Sequence, residues 1–252
     1  MPPTRRARRT ALLMCATALL PAFAQTTAAD AASSPVATYL PPPSLRVAYE
    51  VNGSIAGSSF DGSAELVWSQ DGKTYQAQLL IRKFGLTLQA WTSAGKLTPR
   101  GLEPETFSSK KIGQAEIHAY FERDAQRVRF SAGSPNAPLL RGAQDQLSVF
   151  MQLASLVGGG SALAAPGKHI AMQAIGDRYA EQWSFNASGP ETVKRSGAVL
   201  QALKMTHEPT ADRKQRLELW FAPAPEVVPV RIRITESNGD YLDLVGANTQ
   251  FR

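Results

Sequence analysis

Cysteine is almost missing. Cys15 is the only one in 252 residues, so the chain can form no internal disulfide and no cysteine-cluster metal centre. Three histidines leave little more for a zinc site, and none stands at His-x-His or His-x-x-x-His spacing, so no metal and no cofactor are expected. No apolar run approaches the ~18 residues a membrane-spanning helix needs, so no transmembrane segment is expected. Gly and Pro, at 19 and 17 residues, are too few for a fibrous chain, and 43% hydrophobic content is too high for a disordered one. What remains is a globular protein.

Acidic residues are also missing from the start of the chain, whereas Arg5, Arg6, Arg8 and Arg9 crowd it. An apolar stretch from Ala11 to Phe23 follows, and Ala22-Phe23-Ala24 offers a small-x-small site. That order predicts a signal peptide over residues 1–24, cleaved after Ala24, and a periplasmic destination. Arg8-Arg9 lacks the fuller twin-arginine consensus, so both export routes stay open. Met14 occupies the position before Cys15 where a lipoprotein needs a small residue, so lipidation is not expected. Taking the four leader arginines from 27 basic residues, against 21 acidic ones, lowers the net charge from +6 to +2. The case for a nucleic-acid partner goes with them. The exported chain would hold no cysteine and would depend on a large core.

Residues 25–43 are rich in Ala, Thr and Ser, end in Pro41-Pro42-Pro43 and carry no periodicity, which predicts a disordered linker. Residues 44–252 are expected to be a single β-rich domain. Leu45, Val47, Tyr49 and Val51 alternate with Arg46, Ala48, Glu50 and Asn52. Ala64, Leu66 and Trp68 repeat the pattern, and Asp71-Gly72 turns into Tyr75, Ala77, Leu79 and Ile81. Similar runs follow at 86–90, 117–121, 128–130, 168–175, 179–185, 198–206, 215–221, 228–235 and 241–245, with Asn238-Gly239 as a turn between the last two. About a dozen short-linked strands make an antiparallel meander, either a curled sheet or an unclosed β-barrel. Its cover is one helix, Gln146 to Val157, with Asp145 as N-cap and Gly158 to Gly160 as the stop. Leu147, Phe150, Met151 and Ala154 fall on one face. Val149, Leu153, Leu156 and Val157 widen it until only Ser148, Gln152 and Ser155 remain polar, so the helix is expected across the concave side.

Gly101-Leu102-Glu103-Pro104 with Phe107, Gln144-Asp145-Gln146-Leu147-Ser148, and Leu219-Trp220-Phe221-Ala222-Pro223 leading to Pro229-Val230-Arg231-Ile232 resemble the exported bacterial domain-of-unknown-function family 3108. The closing hairpin is also similar to that of periplasmic lipoprotein carriers. This resemblance implies an unclosed β-barrel with a helical lid over a hydrophobic cavity, and by analogy a hydrophobic small molecule or a lipidated protein as partner. It implies no activity.

Catalytic patterns are scarce. Glu116, His118, Tyr120 and Glu122 share one strand face, which reads as a proton shuttle or as an ordinary solvated face. His169 begins a strand and His207 ends one. No Gly-x-Ser-x-Gly elbow occurs, and Ser93 to Lys96 and Ser108 to Lys111 match Ser-x-x-Lys away from any helix start. Gly158-Gly159-Gly160 lacks the frame of a phosphate loop. Asp240 with Asp243 and Glu103 with Glu105 are expected at turns in water. Arg231 and Arg233, beside Arg216 and Glu218, suit an anionic headgroup or simple cross-strand pairing. No catalytic residue is assigned.

Among the aromatics, Trp68, Tyr75 and Trp183 are in phase with inward apolar positions, while Trp91 and Trp220 are on the opposite face from their apolar neighbours. The candidate ligand-lining set is Trp68, Tyr75, Leu79, Leu88, Phe150, Met151, Trp183 and Phe185. Three readings follow. The first is a non-enzymatic envelope protein binding a hydrophobic or lipidic ligand, which requires an apolar cavity of ~300 Å³ or more under the helix. The second is a surface interaction or scaffold module with a filled core. The third is an envelope hydrolase, which requires His118, His169 or His207 to meet a Ser or carboxylate in a cleft.

Overall fold

The computed structural model describes residues 37–210 and 215–252; the expected signal peptide and most of the expected linker lie outside them. Eight strands come first: β1 (Leu45–Ile55), β2 (Ser58–Gln70), β3 (Thr74–Lys83), β4 (Leu86–Thr98), β5 (Gly101–Lys111), β6 (Ile117–Glu122), β7 (Arg127–Phe130) and β8 (Ala137–Pro138). Next are β9 (Gln144–Asp145), the helix α1 (Ser148–Gly158) and a 3-10 turn (Ala162–Ala164). Six strands complete the domain: β10 (His169–Ile175), β11 (Ala180–Arg195), β12 (Ala198–His207), β13 (Arg216–Phe221), β14 (Pro229–Thr235) and β15 (Tyr241–Phe251). All 15 lie in one sheet, ordered β8-β7-β6-β5-β4-β3-β2-β1-β15-β14-β13-β12-β11-β10-β9. Every pairing is antiparallel except β9 with β10. The sheet curls without closing, as the sequence pattern predicts. Its two outer strands, β8 and β9, are neighbours in the chain. Gln173 of β10 reaches across from one edge, donating to the Pro138 carbonyl at 2.8 Å and accepting from the Leu140 N–H at 2.9 Å.

Alternation builds the core. Leu45, Val47, Tyr49 and Val51 of β1 are all buried, as are Ala64, Leu66 and Trp68 of β2 and Tyr75, Ala77, Leu79 and Ile81 of β3. β5 has no such regularity because Glu105 is a bulge: Ala94 pairs with Thr106 but Gly95 pairs with Pro104. Pro104 is tolerated there because β6 pairs only with residues 106–109, leaving the first half of β5 without a ladder partner on that side.

Helix α1 is buried around its whole circumference. The polar stripe predicted by the sequence does not face water. Gln152 accepts from the Leu102 N–H of β5 at 2.8 Å, Gln144 donates to the Leu102 carbonyl at 2.8 Å, and Ser155 donates back to the Met151 carbonyl at 2.7 Å. The two glutamines thus supply the partners that β6 withholds, since a buried backbone group left unpaired costs about 1–3 kcal/mol. Gly101 permits this approach: its φ is +107°, and a Cβ there would lie 2.5 Å from the Gln152 amide. The helix is therefore an internal plug and not an outer lid.

The end of the expected linker is packed, not free. Pro42 is buried, Ala37 and Tyr39 lie against the core, and the Trp68 indole donates to the Pro42 carbonyl at 3.0 Å. The Leu40 N–H donates to the Ser155 carbonyl at 2.8 Å. Composition missed this strap because its order comes from distant acceptors and donors, not from any periodicity of its own.

Candidate functional site

The plugged end of the barrel holds a buried polar chain. Asp145 accepts at Oδ1 from the N–H groups of Leu147 and Ser148, at 2.9 and 2.7 Å, while Ser148 Oγ accepts from the Asp145 N–H at 2.8 Å. Asp145 and Ser148 thus bracket the turn that leads into α1, whose N-cap position is Leu147 and not the Asp145 expected from the sequence. The second carboxylate oxygen accepts from Ser93 Oγ at 2.6 Å, and Ser93 lies 3.0 Å from the Tyr75 hydroxyl. An ionised carboxylate cannot donate, so Ser93 donates to it and Tyr75 donates to Ser93. Burial pushes Asp145 up to about 6 despite these donors, and burial with the nearby carboxylate raises Tyr75 well above its ordinary range. All these groups are fully enclosed, so the chain of bonds orients the helix and faces no substrate.

The opposite end is hollow. A cavity of about 800 Å³, open on one side, lies among the strand ends at 55–60, 81–91, 109–111 and 234–242. Its apolar wall is Phe60, Ile81, Leu88, Trp91, Ile234 and Leu242. Gln89, Ser109 and Lys111 from β4 and β5, and Asp177, Glu181 and Glu236, supply its polar and charged lining. Gln146, just before α1, is the nearest that the helix segment comes. The cavity is thus beyond the N-terminal end of the helix and not beneath its length.

Of the candidate lining residues, Leu88 is in this wall. Trp68, Tyr75, Leu79, Phe150, Met151, Trp183 and Phe185 are instead in the closed core, each at most 2% exposed. Trp68 stacks on Tyr75 at 5.1 Å, and Trp183 stacks on His207 at 5.1 Å and meets Phe185 edge-on. Sequence reasoning missed Trp91, because simple alternation from Leu86 and Leu88 sends it outward. A bulge corrects the phase: Ile81 pairs with Gln89 but Arg82 pairs with Thr87, so Leu88 is the extra residue. Trp91 then pairs with inward Leu79, and Ser93 with inward Ala77. The missed wall residues do share one sequence signal. Each stands within a few positions of a hairpin turn at the same end.

Trp220 does lie on the outer face, yet it is only 3% exposed. Lys204 and Arg231 sit over its ring at 4.8 and 4.6 Å, and its indole donates to Glu191 at 2.9 Å. Arg231 is paired with both oxygens of Asp243, Arg233 approaches one of them at 3.3 Å, and Lys204 pairs with Glu218 at 2.9 Å. Cross-strand pairing therefore occupies these cations. Asp243 is the third residue of β15 and only 8% exposed, correcting its expected place at a turn.

The histidines occupy three separate strands. His118 stacks on Tyr120, whose ring carries Arg129 at 4.1 Å, while Glu122 binds Arg127 and Arg129. His169 meets Asn186, and the buried His207 ring has Nδ1 at 3.1 Å from the Ser184 carbonyl. Among the described residues no three His, Cys, Asp or Glu side chains group as a metal site.

No curated protein sequence matches the chain. A β-barrel-like protein of domain-of-unknown-function family DUF1849 from Brucella abortus shares its fold, with a TM-score of 0.54 at 9% identity over 84% of this chain and 99% of that one. A putative outer membrane lipoprotein-sorting protein domain from Vibrio parahaemolyticus aligns at a TM-score of 0.32 and 11% identity, over 83% and 86% of the two chains. MucB aligns at 0.35 and 11%, over 86% of this chain and 56% of its own. Residues 48–245 match a protein family of unknown function, and the chain belongs to that family, DUF3108.

Proposed function

We propose that this protein binds a hydrophobic or lipidic molecule in the open end of its barrel and performs no chemistry on it. The observation that carries this reading is the cavity of about 800 Å³ walled by Phe60, Ile81, Leu88, Trp91, Ile234 and Leu242. Its volume falls within the ~300–1,000 Å³ usual for small-molecule sites, and its wall combines apolar surface with a few polar groups at the mouth. An acyl chain would lie against Trp91 and Leu88, leaving a polar head near Gln89, Ser109 and Lys111. Of the residues first singled out for this role, Leu88 keeps it directly; the other seven are buried in the core.

The cell envelope is the compartment we infer. That inference rests on the basic, apolar and small-residue order of residues 1–24. Among the described residues no helix is long and apolar enough to cross a membrane.

Titration with a fluorescent fatty acid tests the binding reading. Saturable uptake should shift Trp91 emission, and Trp91→Phe should remove that response while uptake persists. Native mass spectrometry with lipid extraction, on protein taken from its own envelope, should then find a co-purifying apolar molecule. Absence of saturable uptake across fatty acids, lysolipids and diacyl lipids would refute the reading.

A further inference from the structure

Large apolar side chains are exposed on one lip of the cavity. Phe84 is 91% exposed, Leu86 60%, Ile112 53% and Ile55 45%. Phe84 and Leu86 belong to the β3–β4 hairpin, Ile112 follows β5 with its N–H on the Leu88 carbonyl, and Ile55 ends β1. Leu88 and Ile55 themselves line the cavity, so lip and wall are continuous.

The tip of this hairpin is doubly unfavourable for folding alone. Three two-residue hairpin turns share positive φ at both positions: Ala56-Gly57, Phe84-Gly85 and Ser196-Gly197. Small or polar residues suit the first position, which disfavours bulky side chains. Two of the turns comply, and the third places a phenylalanine there, at φ +50° and almost wholly in water. Strain combined with apolar exposure calls for a partner outside the fold.

Charge indicates which partner. Lys83 has its ammonium 4.8 Å from the Phe60 ring centre and 5.4 Å from that of Phe84, and Lys110 and Lys111 are exposed at the end of β5 beside Ile112. No acidic residue occurs from Ile81 to Gly95 or from Thr106 to Ala115. The acidic residues of the cavity, Asp177, Glu181 and Glu236, come instead from the β10–β11 turn, β11 and the end of β14. Aromatic and aliphatic tips ringed by lysine suit the boundary between headgroups and acyl chains of an anionic bilayer.

We propose that the β3–β4 lip docks this protein on an anionic lipid bilayer, with Phe84, Leu86 and Ile112 inserted and Lys83, Lys110 and Lys111 on the headgroups. This surface stands whether or not the cavity holds a lipid.

Flotation with phosphatidylcholine vesicles, with and without about a third phosphatidylglycerol, provides the test. The chain should lack residues 1–24, so that an apolar leader does not itself insert. Wild type should bind the anionic vesicles and leave the neutral ones. Phe84→Asp should weaken binding about tenfold or more. The double variant Lys110→Glu/Lys111→Glu should weaken it by at least about 25-fold, each lysine counting roughly fivefold. Phe251→Asp, which removes an exposed apolar residue at the plugged end, should bind as wild type does. Failure of wild type to bind, or equal binding by wild type and Phe84→Asp, would overturn the proposal. So would an equal loss in Phe251→Asp. Fatty-acid uptake by Phe84→Asp, measured in parallel, should be retained, so a failure of the cavity reading and a failure of the docking reading give different patterns.

Discussion

The two ends of the barrel solve one problem in opposite ways. A curled sheet of this width leaves an interior that must be filled or left hollow. At one end the chain inserts α1, lays residues 37–43 beneath it and joins Tyr75, Ser93 and Asp145 by hydrogen bonds, so even Gln144, Ser148 and Ser155 are wholly buried. At the other the strands extend past the helix, and Trp91 and Leu88 remain half-exposed around empty space. Unoccupied apolar wall has no structural advantage: it forfeits the contacts that packing would supply. The filled end therefore carries more of the stability than the open one.

The sharpest way to break this contrast is Phe150→Ala in the filled end. It should cost about 3–5 kcal/mol, read as a lowered urea midpoint, because the enclosed helix cannot collapse into the space. A cost below about 1 kcal/mol would show that the plugged end is loosely packed. Next comes Asp145. Its folded pKa of about 6 exceeds the reference value of 3.8, so the folded state favours the protonated form. That contribution is fully present below about pH 4 and is lost as pH rises through about 6, amounting to roughly 3 kcal/mol. Urea melts of wild type and Asp145→Asn at pH 4 and pH 7 should show wild type losing ground to the variant as pH rises. A gain instead would mean that its hydrogen bonds outweigh burial.

Gln152→Ala is expected to cost about 1–3 kcal/mol by leaving the Leu102 N–H unsatisfied, with amide exchange at Leu102 as the local readout. Smallest of all should be Leu88→Ala in the hollow wall. Its effect on stability should stay near or below about 1 kcal/mol, since the side chain is only partly buried, while affinity for a fatty acid falls severalfold. An equal cost at Leu88 and Phe150 would erase the distinction between the ends.

Much of the architecture was legible because period-two alternation and turn residues are local signals. The strands from β1 to β3 and the helix could be read directly, with Asp145 bonding to the turn just ahead of the helix. β5 was missed because its bulge and Pro104 disrupt the alternation, and β8 and β9 because two residues carry no period. The site was less legible. Alternation identifies residues facing inward but not the height along the barrel at which the helix stops, so Trp68, Phe150 and Trp183 could not be separated from Phe60, Ile81 and Trp91. The bulge at Leu88 compounded this by reversing the expected direction of Trp91. Trp220 was correctly placed outside, but its burial depends on Lys204, Arg231 and Glu191 from three other strands, which no single segment announces.

The strand order also bears on how the chain is assembled. β1 pairs with β15, from Leu45 opposite Phe251 to Ser54 opposite Tyr241, so the first and last strands form the middle of the sheet. A ribosome that has finished β1 must reach Tyr241 before that strand has its second neighbour. Until then β1 keeps one unsatisfied edge, and the halves β1–β8 and β9–β15 share no ladder. A soluble peptide copying β15 should compete for that edge during synthesis and have no effect on the finished protein.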